Sequence, residues 1–372
     1  MATVFPNAVG RPLGIDANRE RTMTGGDDVE THFTDPRSDR TWDALVLRHP
    51  EHTFFHSAAW SRVLCSSYGH TPCYLQLRQG EALLALLPLL EVDSHFTGRR
   101  AVCLPFSDHC GPLAFAQSTW PLLQERLLKL ARVRRWKYIE VRGAEQVKDA
   151  HRCQPTFYVH KLDLHAGPDY LFSKFDSSVR RAVRKAERSG LTVQISNTHR
   201  AVEKFFDLHV RTRRRHGAPP QSRNFFRSIH EAVLEPGNGF VVQASFNERP
   251  IAGAMFFHFG QSAIFKFGAS DENFHEHRGN NLVMWKGIEE LIHRGARRLH
   301  FGRTSCDNQG LRRYKRAWGA REEPISYLRL DVSAGTWASI NGHASALHER
   351  FFCRMPLTVN RLAGSLVYPH LH

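Results

Sequence analysis

The sequence predicts an α+β protein built from two similar domains, and three observations support this prediction. The segment from Ala263 to Gly302 has the pattern of a strand, a loop, a helix and a second strand. The segment from Ala101 to Gly143 repeats this order, with a polar loop before its helix, and in both halves a further strand precedes the repeated segment. The length of 372 residues is sufficient for two domains of ordinary size. Because few residues are identical between the halves, we interpret the repeat as one of structure rather than of sequence.

The composition indicates a globular chain with a basic surface. Hydrophobic residues make up 41% of the chain, and 51 Lys and Arg against 36 Asp and Glu give a formal net charge of +15. Such a surface attracts anions, whether nucleic acid, lipid headgroups or sugar diphosphates. No apolar run has the length of a membrane span, and the N-terminal residues lack the pattern of a secretory signal. We therefore expect a cytoplasmic protein, either free or peripheral at the inner face of the membrane.

The cysteines and histidines show no metal-binding pattern. The seven cysteines include no CxxC pair, and the 23 histidines include no HExxH motif. An odd number of scattered cysteines is typical of a reducing compartment. We expect neither a metal nor another permanently bound cofactor.

The first half begins with an aperiodic segment and continues with alternating helices and strands. Residues 1–41 are predicted to be a flexible leader, because they are rich in Gly, Asp, Arg, Thr and Pro. A helix is predicted over Trp42–Arg48, and His56 or Ser57 can cap the next one. The remaining predicted elements are strands at Cys73–Leu77, Ala82–Leu90, Ala101–Leu104 and Trp136–Val141, and a helix at Trp120–Val133.

The middle of the chain carries a strongly basic helical segment, Ser173–Ser189, which Gly190 ends. Its apolar stripe is thin, so it is either a solvated helix that packs only in part or a contact surface for an anion. The elements predicted after it are a strand at Leu191–Ile195, a helix from Val202 to the basic run Arg211–Gly217, a helix at Phe225–Leu234 and a strand at Phe240–Ala244.

The stretch from Ala263 to Trp318 organises the second half. Asn280 or Asn281 can cap a helix that runs to about Arg294, between strands predicted on either side. The residues from Arg303 onward are crowded with polar side chains, so we predict a loop there that faces a cleft.

The stretch contains the run RGNNLVMWKGIEELIHRGARRLHFGRT at 278–304, and the run GLRRYKRAWG follows at 310–319. Together these two runs resemble the second acyltransferase domain of the FemAB-like proteins. These are GNAT-type transferases, typified by the enzymes that add amino acids to peptidoglycan precursors. Phe54–Leu77 resembles the opening of the family's first domain, and Arg354–Leu371 resembles the tail of a FemAB subgroup found with exosortase and exopolysaccharide loci. The family usually has Phe where this chain has Tyr314. The matching positions of the run GLRRYKRAWG are Gly310, Leu311, Tyr314, Lys315, Trp318 and Gly319.

The resemblance implies tandem GNAT-like (acyl-CoA N-acyltransferase) domains, with mixed sheets flanked by helices. Placed on this chain, the domains span residues 42–165 and 166–335, and a helical tail spans 336–372. No heptad run corresponds to the long coiled-coil arm of some FemA enzymes, so the chain resembles the compact form. The tail either docks on the second domain or lies on a membrane as an amphipathic element.

Lys315 is the first candidate for a catalytic residue. The resemblance places the family's lysine at the donor ester, where a cation would stabilise the oxyanion of the tetrahedral intermediate. The alternative is a surface lysine in a basic loop. The neighbouring Tyr314, Arg303, Ser305 and Asn308 are candidates for substrate binding, because they belong to the same predicted loop.

Three further candidates lie outside this loop, two in the first half of the chain and one in the second. Asp108 follows a predicted strand of the first domain, to which the resemblance assigns acceptor binding, and it could take a proton from the attacking amine. The alternative for Asp108 is a turn residue that binds local N–H groups. His109 is a substrate-binding candidate beside it. Lys266 points away from the apolar side of its strand, toward either the cleft or solvent.

The donor site is predicted at the turn that precedes the helix of the second half. Arg278, Gly279 and Asn280 would bind an anion there, since helix N-termini attract phosphate groups. The turn has one glycine where the coenzyme A motif has two or three. This difference favours aminoacyl-tRNA or another donor over acyl-CoA, without deciding between them.

These observations predict an acyl- or aminoacyltransferase that acts on an amine of an anionic acceptor, a lipid-linked or nucleotide-linked glycan of the cell envelope or an exopolysaccharide. One alternative is an acyl-CoA-dependent N-acetyltransferase with the same fold. Another is a non-catalytic nucleic-acid-binding protein, whose affinity would depend steeply on salt through the clusters at Arg180–Arg188 and Arg211–Arg215.

Overall fold

The structure, a computed structural model, describes residues 29–94, 97–116, 119–143, 157–340, 352 and 355–370. Residues 1–28 of the predicted leader and 341–351 of the predicted tail lie outside this part. The helices are α1 (Trp42–Leu47), α2 (Ala58–Tyr68), α3 (Trp120–Val133), α4 (Pro168–Lys174), α5 (Ser177–Glu187), α6 (His199–Arg215), α7 (Arg223–Ile229), α8 (Gly279–His293), α9 (Gln309–Ala317) and α10 (Leu357–Val367). The strands are β1 (Val29–Thr34), β2 (Thr71–Pro72), β3 (Tyr74–Gln79), β4 (Ala82–Leu87), β5 (Leu90–Val92), β6 (Arg100–Val102), β7 (Leu113–Ala114), β8 (Tyr138–Arg142), β9 (Phe157–Asp163), β10 (Thr192–Ser196), β11 (Gly239–Phe246), β12 (Arg249–Phe259), β13 (Ser262–Ser270), β14 (Arg298–Ser305), β15 (Arg321–Ile325), β16 (Tyr327–Asp331) and β17 (Trp337–Ser339).

The predicted fold class is confirmed, because the strands form mixed sheets flanked by helices. The sheet orders are β1-β3-β4-β7, β17-β16-β8-β6-β5-β2 and β10-β11-β12-β13-β14-β9-β15. In each half, one helix connects two neighbouring parallel strands. Helix α3 lies between β6 and β8, and α8 lies between β13 and β14. The repeated order of elements therefore corresponds to a repeated parallel unit.

The two halves exchange strands, which the sequence did not predict. Strand β9 lies before the predicted border at residue 165, yet it pairs with β14 and β15 of the seven-stranded sheet. Conversely, β16 lies before the predicted border at residue 335 and pairs with β8 of the six-stranded sheet. Each half thus supplies a strand to the other, so sheet membership does not follow the predicted borders.

The predicted leader also contains a regular element. Strand β1 pairs antiparallel with β3 from Val29 to Thr34, so residues 29–34 are not a flexible leader. The segment is rich in β-branched and aromatic residues, VETHFT, which favour a strand. The strand was not predicted because it lacks a row of apolar residues on one face, and only one of its residues is buried.

One hydrophobic core joins the two halves. It contains residues of α1 and α2 from the first half together with residues of α6, α7, β12 and β13 from the second. At its centre, the ring of Trp60 lies 6.0 Å from that of Phe225 and 6.3 Å from that of Phe257. Such aromatic packing stabilises the contact beyond the area it buries, so the halves form a continuous structure.

The C-terminal helix α10 packs on α6. The Tyr368 hydroxyl donates to the carbonyl of Pro219 and accepts from the Arg213 guanidinium, at 3.1 and 3.0 Å. Gly364 is buried against the carbonyl of Pro220. The opposite side of the helix leaves apolar side chains exposed, at Val359, Leu362, Leu366 and Val367.

We expect Gly364→Ala to displace α10. A Cβ at this position would lie 2.0 Å from the carbonyl oxygen of Pro220, which is backbone and has little freedom to move. The energetic cost of this clash should exceed the roughly 1 kcal/mol by which alanine stabilises a helix relative to glycine. Limited proteolysis should then cleave the tail faster in Gly364→Ala than in the wild type. The exposed neighbour Ser365→Ala is the control, and equal cleavage of both variants would contradict the prediction.

Candidate active site

The parallel strands β13 and β14 separate after a short pairing. They are paired only from Ser262 to Ile264 and from Arg298 to His300, although they continue to Ser270 and Ser305. Register shifts lie next to this point, on the β12 side of β13 and on the β9 side of β14. Beyond Ile264, the edge of β13 therefore faces a gap, where its backbone N–H groups are available to a ligand.

A large basic cavity lies beside this gap. It measures about 830 Å³ and is bounded by α5, the N-terminus of α8, α9 and the strands β12 and β13. No aspartate or glutamate is among its described lining residues. The positive or ionisable side chains that line it are Arg181, Lys185, Arg215, His216, Arg278 and Arg313. The basic cavity is therefore suited to a large anionic ligand.

The predicted anion site at the start of α8 lies in this cavity wall. Arg278 and Asn280 line the basic cavity, and Arg278 and Gly279 also line a smaller recess of about 140 Å³ beside it. The predicted cap was wrong, since the helix begins at Gly279, before both Asn280 and Asn281. Arg278 holds the N-cap position with a left-handed φ of 58° and no side-chain cap. The first N–H groups of the helix are thus not satisfied by a capping side chain.

The basic helix predicted in the middle of the chain is α5. Val179, Val183 and Ala186 are buried on one side, as the thin apolar stripe indicated. Ser178, Arg181 and Lys185 line the basic cavity on the other. The helix therefore packs on one side, and it contributes cations to a cavity on the other, where contact with an anion stays a prediction.

The predicted loop after Arg303 is mostly helical. Strand β14 continues to Ser305, and α9 follows with Asn308 as its cap, whose side chain accepts from the N–H of Leu311 at 3.0 Å. Tyr314 and Lys315 are therefore adjacent on a helix and point in different directions. Tyr314 lines the basic cavity, whereas Lys315 is only 4% exposed and is not a lining residue of it.

Lys315 contacts the backbone where β14 leaves β13. Its Nζ donates to the carbonyls of Gly302 and Arg303, at 2.8 and 3.2 Å. Burial lowers the pKa of Lys315 to about 8, although Asp108 acts in the opposite direction. The side chain is thus not the surface lysine of the alternative interpretation.

Asp108 and Lys266 form an ion pair between the two halves. The carboxylate and the ammonium lie 2.7 Å apart, with side chains 17% and 8% exposed. Lys266 also donates to the carbonyl of Phe106 and lies over the ring of Phe55, so it faces neither open cleft nor solvent. The N–H of Arg303 donates to Asp108 at 3.3 Å.

This ion pair makes Asp108 a weak proton acceptor. Burial alone would raise the pKa of Asp108, but the adjacent Lys266, with smaller contributions from Arg303 and His300, holds it well below its ordinary value. A carboxylate that is this acidic does not match the ideal of a general base, whose pKa lies near the working pH. The geometry instead makes Asp108 a counter-ion that joins the halves.

Two histidines lie next to this pair. The rings of His109 and His300 are 6.3 Å apart, and both line a small cavity of about 60 Å³. Burial lowers the pKa of His109 to about 4 and that of His300 well below its ordinary value, so both are neutral at pH 7. The sequence analysis did not select His300. The position of His300 between Leu299 and Phe301 could have indicated it. Successive residues of a strand point to opposite faces, so His300 lies on the face opposite these two apolar side chains.

The structure brings together Arg303, Ser305 and Asn308, which were predicted to share one loop. It places Tyr314 elsewhere, in the wall of the basic cavity. Arg303, Ser305 and Asn308 line a second cavity of about 340 Å³, which we call the seam cavity because it lies between strands of different sheets. Its other described lining residues are Glu140, Arg142, Phe157, Thr304, Leu311, Tyr327 and Ile340. The sequence analysis did not select Glu140, Arg142, Phe157 or Tyr327, because strand exchange brings them to Arg303.

Within the described part of the chain, no group of three or more His, Cys, Asp or Glu side chains is arranged to hold a metal ion. None of the helices in that part combines the length and the apolar character needed to cross a membrane.

Comparison with known proteins matches the second half to one family. Residues 173–316 match the acetyltransferase (GNAT) domain, which covers α5, α8, α9 and the separating strands. A search of curated protein sequences gave no match.

Solved structures with similar folds extend the likeness over most of the chain. The crystal structure of FemX has 14% identity and a TM-score of 0.65, covering 79% of this chain and 95% of FemX. A tandem GNAT protein from the clavulanic acid biosynthesis pathway has 12% identity and a TM-score of 0.54, covering 85% and 100%. L-PGS from Bacillus licheniformis has 10% identity and a TM-score of 0.51, covering 88% and 98%.

At these identities the likeness shows the fold, and the domain match shows the class of enzyme. The chain is an acyltransferase whose residues 173–316 form a GNAT domain, within a fold shared with FemX and tandem GNAT proteins.

Proposed function

We propose that this protein transfers an acyl or aminoacyl group from an activated donor in the basic cavity to an amine of an anionic, cell-envelope or exopolysaccharide-related acceptor. The observation that carries the proposal is the basic cavity itself, which adjoins the gap between β13 and β14. The FemAB resemblance and the shared fold with FemX support the envelope-related acceptor. We place the reaction in the cytoplasm or at the inner face of the membrane, where the exposed apolar side of α10 supports a peripheral contact.

The separated strands suit the chemistry of acyl transfer. The amine attacks the donor carbonyl, a C–N bond forms, and the bond from that carbon to the donor oxygen or sulfur breaks. The proton lost by the amine balances the proton gained by the leaving hydroxyl or thiol. Backbone N–H groups on the free edge of β13 can stabilise the negative charge that develops on the carbonyl oxygen.

We propose that Lys315 contributes to this stabilisation as a fixed cation. Its position at the carbonyls of Gly302 and Arg303 places a positive charge at the branch point of the two strands. A partly buried charge acts more strongly than one in water, because the surrounding dielectric constant is lower. Asp108 would then position Lys266 and the backbone of Arg303, rather than accept the proton.

Aminoacyl-tRNA is the donor that the cavity favours. The cavity is lined by several cations, which suits a polyanion, and the turn before α8 has a single glycine. Acyl-CoA is the alternative donor, because the GNAT domain match is to an acetyltransferase domain and coenzyme A is itself a phosphorylated ligand.

Binding measurements separate the two donors. We expect a mixture of aminoacyl-tRNAs to bind with an affinity that decreases steeply as salt increases, because phosphate contacts release counterions. Replacing both cavity cations in Arg181→Gln/Lys185→Gln should weaken this binding by about 10-fold or more. The exposed Arg227→Gln is the control, since Arg227 is not a lining residue of the cavity.

Filter binding with tRNA and calorimetry with acetyl-CoA would be run in parallel. Micromolar binding of acetyl-CoA, without binding of aminoacyl-tRNA, would favour the N-acetyltransferase alternative. If uncharged and charged tRNA bind equally, the affinity comes from the phosphates alone, and aminoacyl-tRNA is not recognised specifically as the donor. Binding of neither donor would reject the proposed donor cavity.

A further inference from the structure

Arg303 is held in the seam cavity in an arrangement that suits an anion. Its guanidinium carbon lies 4.4 Å from the ring centre of Phe157 and 4.9 Å from that of Tyr327. These rings come from β9 and β16, the two exchanged strands. These cation–π contacts hold the guanidinium beside the two rings, and a guanidinium held in this way can still donate to a carboxylate or a phosphate.

Within the described residues, the Arg303 guanidinium has no hydrogen-bonded or ion-paired partner. The neighbouring arginines differ in this respect. Arg142 donates to Glu140 and to the carbonyls of Leu104 and Ser107, and Arg312 forms an ion pair with Glu322 at 2.7 Å. A half-buried guanidinium without an acceptor has unused hydrogen-bonding capacity, which a ligand can satisfy.

The charges around the seam cavity leave a surplus of positive charge. Glu140 is the acidic residue of its described lining, and it lies 2.9 Å from Arg142 and 3.7 Å from Arg329. Two cations therefore already face this single carboxylate, and Arg303 is additional. Helix α9 begins at the cavity, with Asn308 in its wall, so the positive end of the helix dipole adds to the surplus.

The seam cavity and the basic cavity share α9 as a wall. Asn308 and Leu311 line the seam cavity, whereas Gly310, Arg313 and Tyr314 line the basic cavity. Two ligands could therefore bind at the same time on two sides of one short helix. A transferase needs such an arrangement, because donor and acceptor must be bound together without competing.

We propose that the seam cavity binds a phosphate or carboxylate group of the acceptor and that Arg303 is its principal binding residue. This inference rests on the proposed function, since it assigns the site to the anionic acceptor of that reaction. The other predicted residues Ser305 and Asn308 lie in the same wall and add polar groups to the site.

Methyl NMR can test the site without donor and without turnover. Ile340 lines the seam cavity and Met284 lines the basic cavity, so their methyl signals report on the two sites separately. Inorganic phosphate and succinate would be titrated into the full chain at low salt. We expect a saturable shift of the Ile340 signal with at least one of them, distinct in midpoint from any shift at Met284.

The variant Arg303→Met should weaken the response at Ile340 by about 10-fold or more, because the charge and the paired N–H groups are lost. Arg303→Lys keeps the charge and should bind several-fold more weakly than the wild type, and it replaces Arg303→Met if that variant does not fold. Arg312→Met is the matched control, since the guanidinium carbon of Arg312 also lies over a tyrosine ring, 4.0 Å from its centre, but Arg312 already has a carboxylate partner.

The outcomes separate the two ligand types. A response to phosphate alone supports a phosphorylated acceptor, and a response to succinate alone supports a carboxylate. A response to both supports a general anion site. An Ile340 signal that does not move, or that moves equally in Arg303→Met, would overturn the inference. Since neither donor nor turnover enters the titration, that failure would leave the proposed transferase function standing.

Discussion

Replacing Lys315 by methionine should lower turnover by about 10²- to 10³-fold, the loss typical of removing one group that stabilises an oxyanion. Methionine keeps most of the volume and removes the ammonium. The expected loss lies in kcat rather than in the affinity for the donor, because Lys315 is not among the lining residues of the basic cavity. The measurement is steady-state transfer with the donor that the binding experiment selects.

The same substitution should also destabilise the protein. Lys315 was predicted in a loop that faces a cleft, whereas the structure places it on α9 and buries it against two carbonyls. A buried carbonyl that loses its hydrogen-bond donor lowers the free energy of unfolding by about 1–3 kcal/mol. The assay should therefore be run well below the melting temperature of the variant. Arg316→Met, an exposed change at the next position of α9, is the control, and a Lys315→Met enzyme with wild-type kcat would remove Lys315 from the mechanism.

The pH dependence gives a second test of Lys315. Burial lowers the pKa of Lys315 to about 8, and the charged form is the one proposed to act. The rate should therefore fall as pH rises through about 8. Arginine stays charged in this range, so Lys315→Arg should shift the decline to higher pH or remove it. An unchanged alkaline decline in Lys315→Arg would assign it to another group.

Local patterns were sufficient for the elements that pack by a clear apolar stripe. Helix α3 has the predicted bounds, and α8 begins two or three residues before its predicted start and ends one residue before its predicted end. The signal in such helices is contained within the segment, because each apolar side chain recurs with the period of the helix. This is also why the overall fold class could be predicted.

Helix α9 was not predicted, because its sequence has almost no apolar stripe. Among its residues only Lys315 is buried. The remaining local signals were the cap Asn308 and a run of arginine and lysine, which have good helix propensity. A polar segment with such a run can form a helix or a loop, and tertiary contacts with β14 and β15 decide between them.

Strand exchange could not be predicted from local patterns either. No element was predicted at the position of β9, and its pairing with β14 and β15 depends on segments more than 130 residues away. The seam cavity is formed by this exchange. Sequence reasoning therefore identified Arg303 as a candidate but did not identify the rings of Phe157 and Tyr327 that hold it.

The second large effect is a loss of stability, which we expect in Lys266→Met because Asp108 is left without its ion-pair partner. Breaking a buried pair from one side costs about 3–5 kcal/mol, because the remaining charge is held away from water. The low exposure of both side chains and their separation of 2.7 Å place the Asp108–Lys266 pair in this class. Chemical denaturation should show the loss as a lower midpoint.

A double substitution measures the contribution of the ion pair itself, apart from the other contacts of the two side chains. In Asp108→Asn/Lys266→Met both charges are gone, and the amide oxygen of the introduced asparagine can still accept from the N–H of Arg303. We expect the double variant to be more stable than Lys266→Met alone, by about 2 kcal/mol. Lys286→Met is the control, because the pair of Lys286 with Glu289 has the same chemistry at 2.8 Å but is about one third exposed. Its loss should cost less than about 1 kcal/mol.

The pH dependence of these variants has a definite sign. In the wild type the pKa of Asp108 is lowered by its partner, so the pair stabilises the fold above the ordinary aspartate pKa of about 3.9 and loses this contribution as pH falls below it. Without Lys266, burial raises the pKa of Asp108 instead, and protonation removes the unpaired charge. The stability difference between the wild type and Lys266→Met should therefore shrink as pH falls. A stability difference that stays constant from pH 7 to pH 4 would show that the ion pair does not join the two halves. A double variant that is no more stable than Lys266→Met would show the same, since a direct contact of this kind requires the two sites to be coupled.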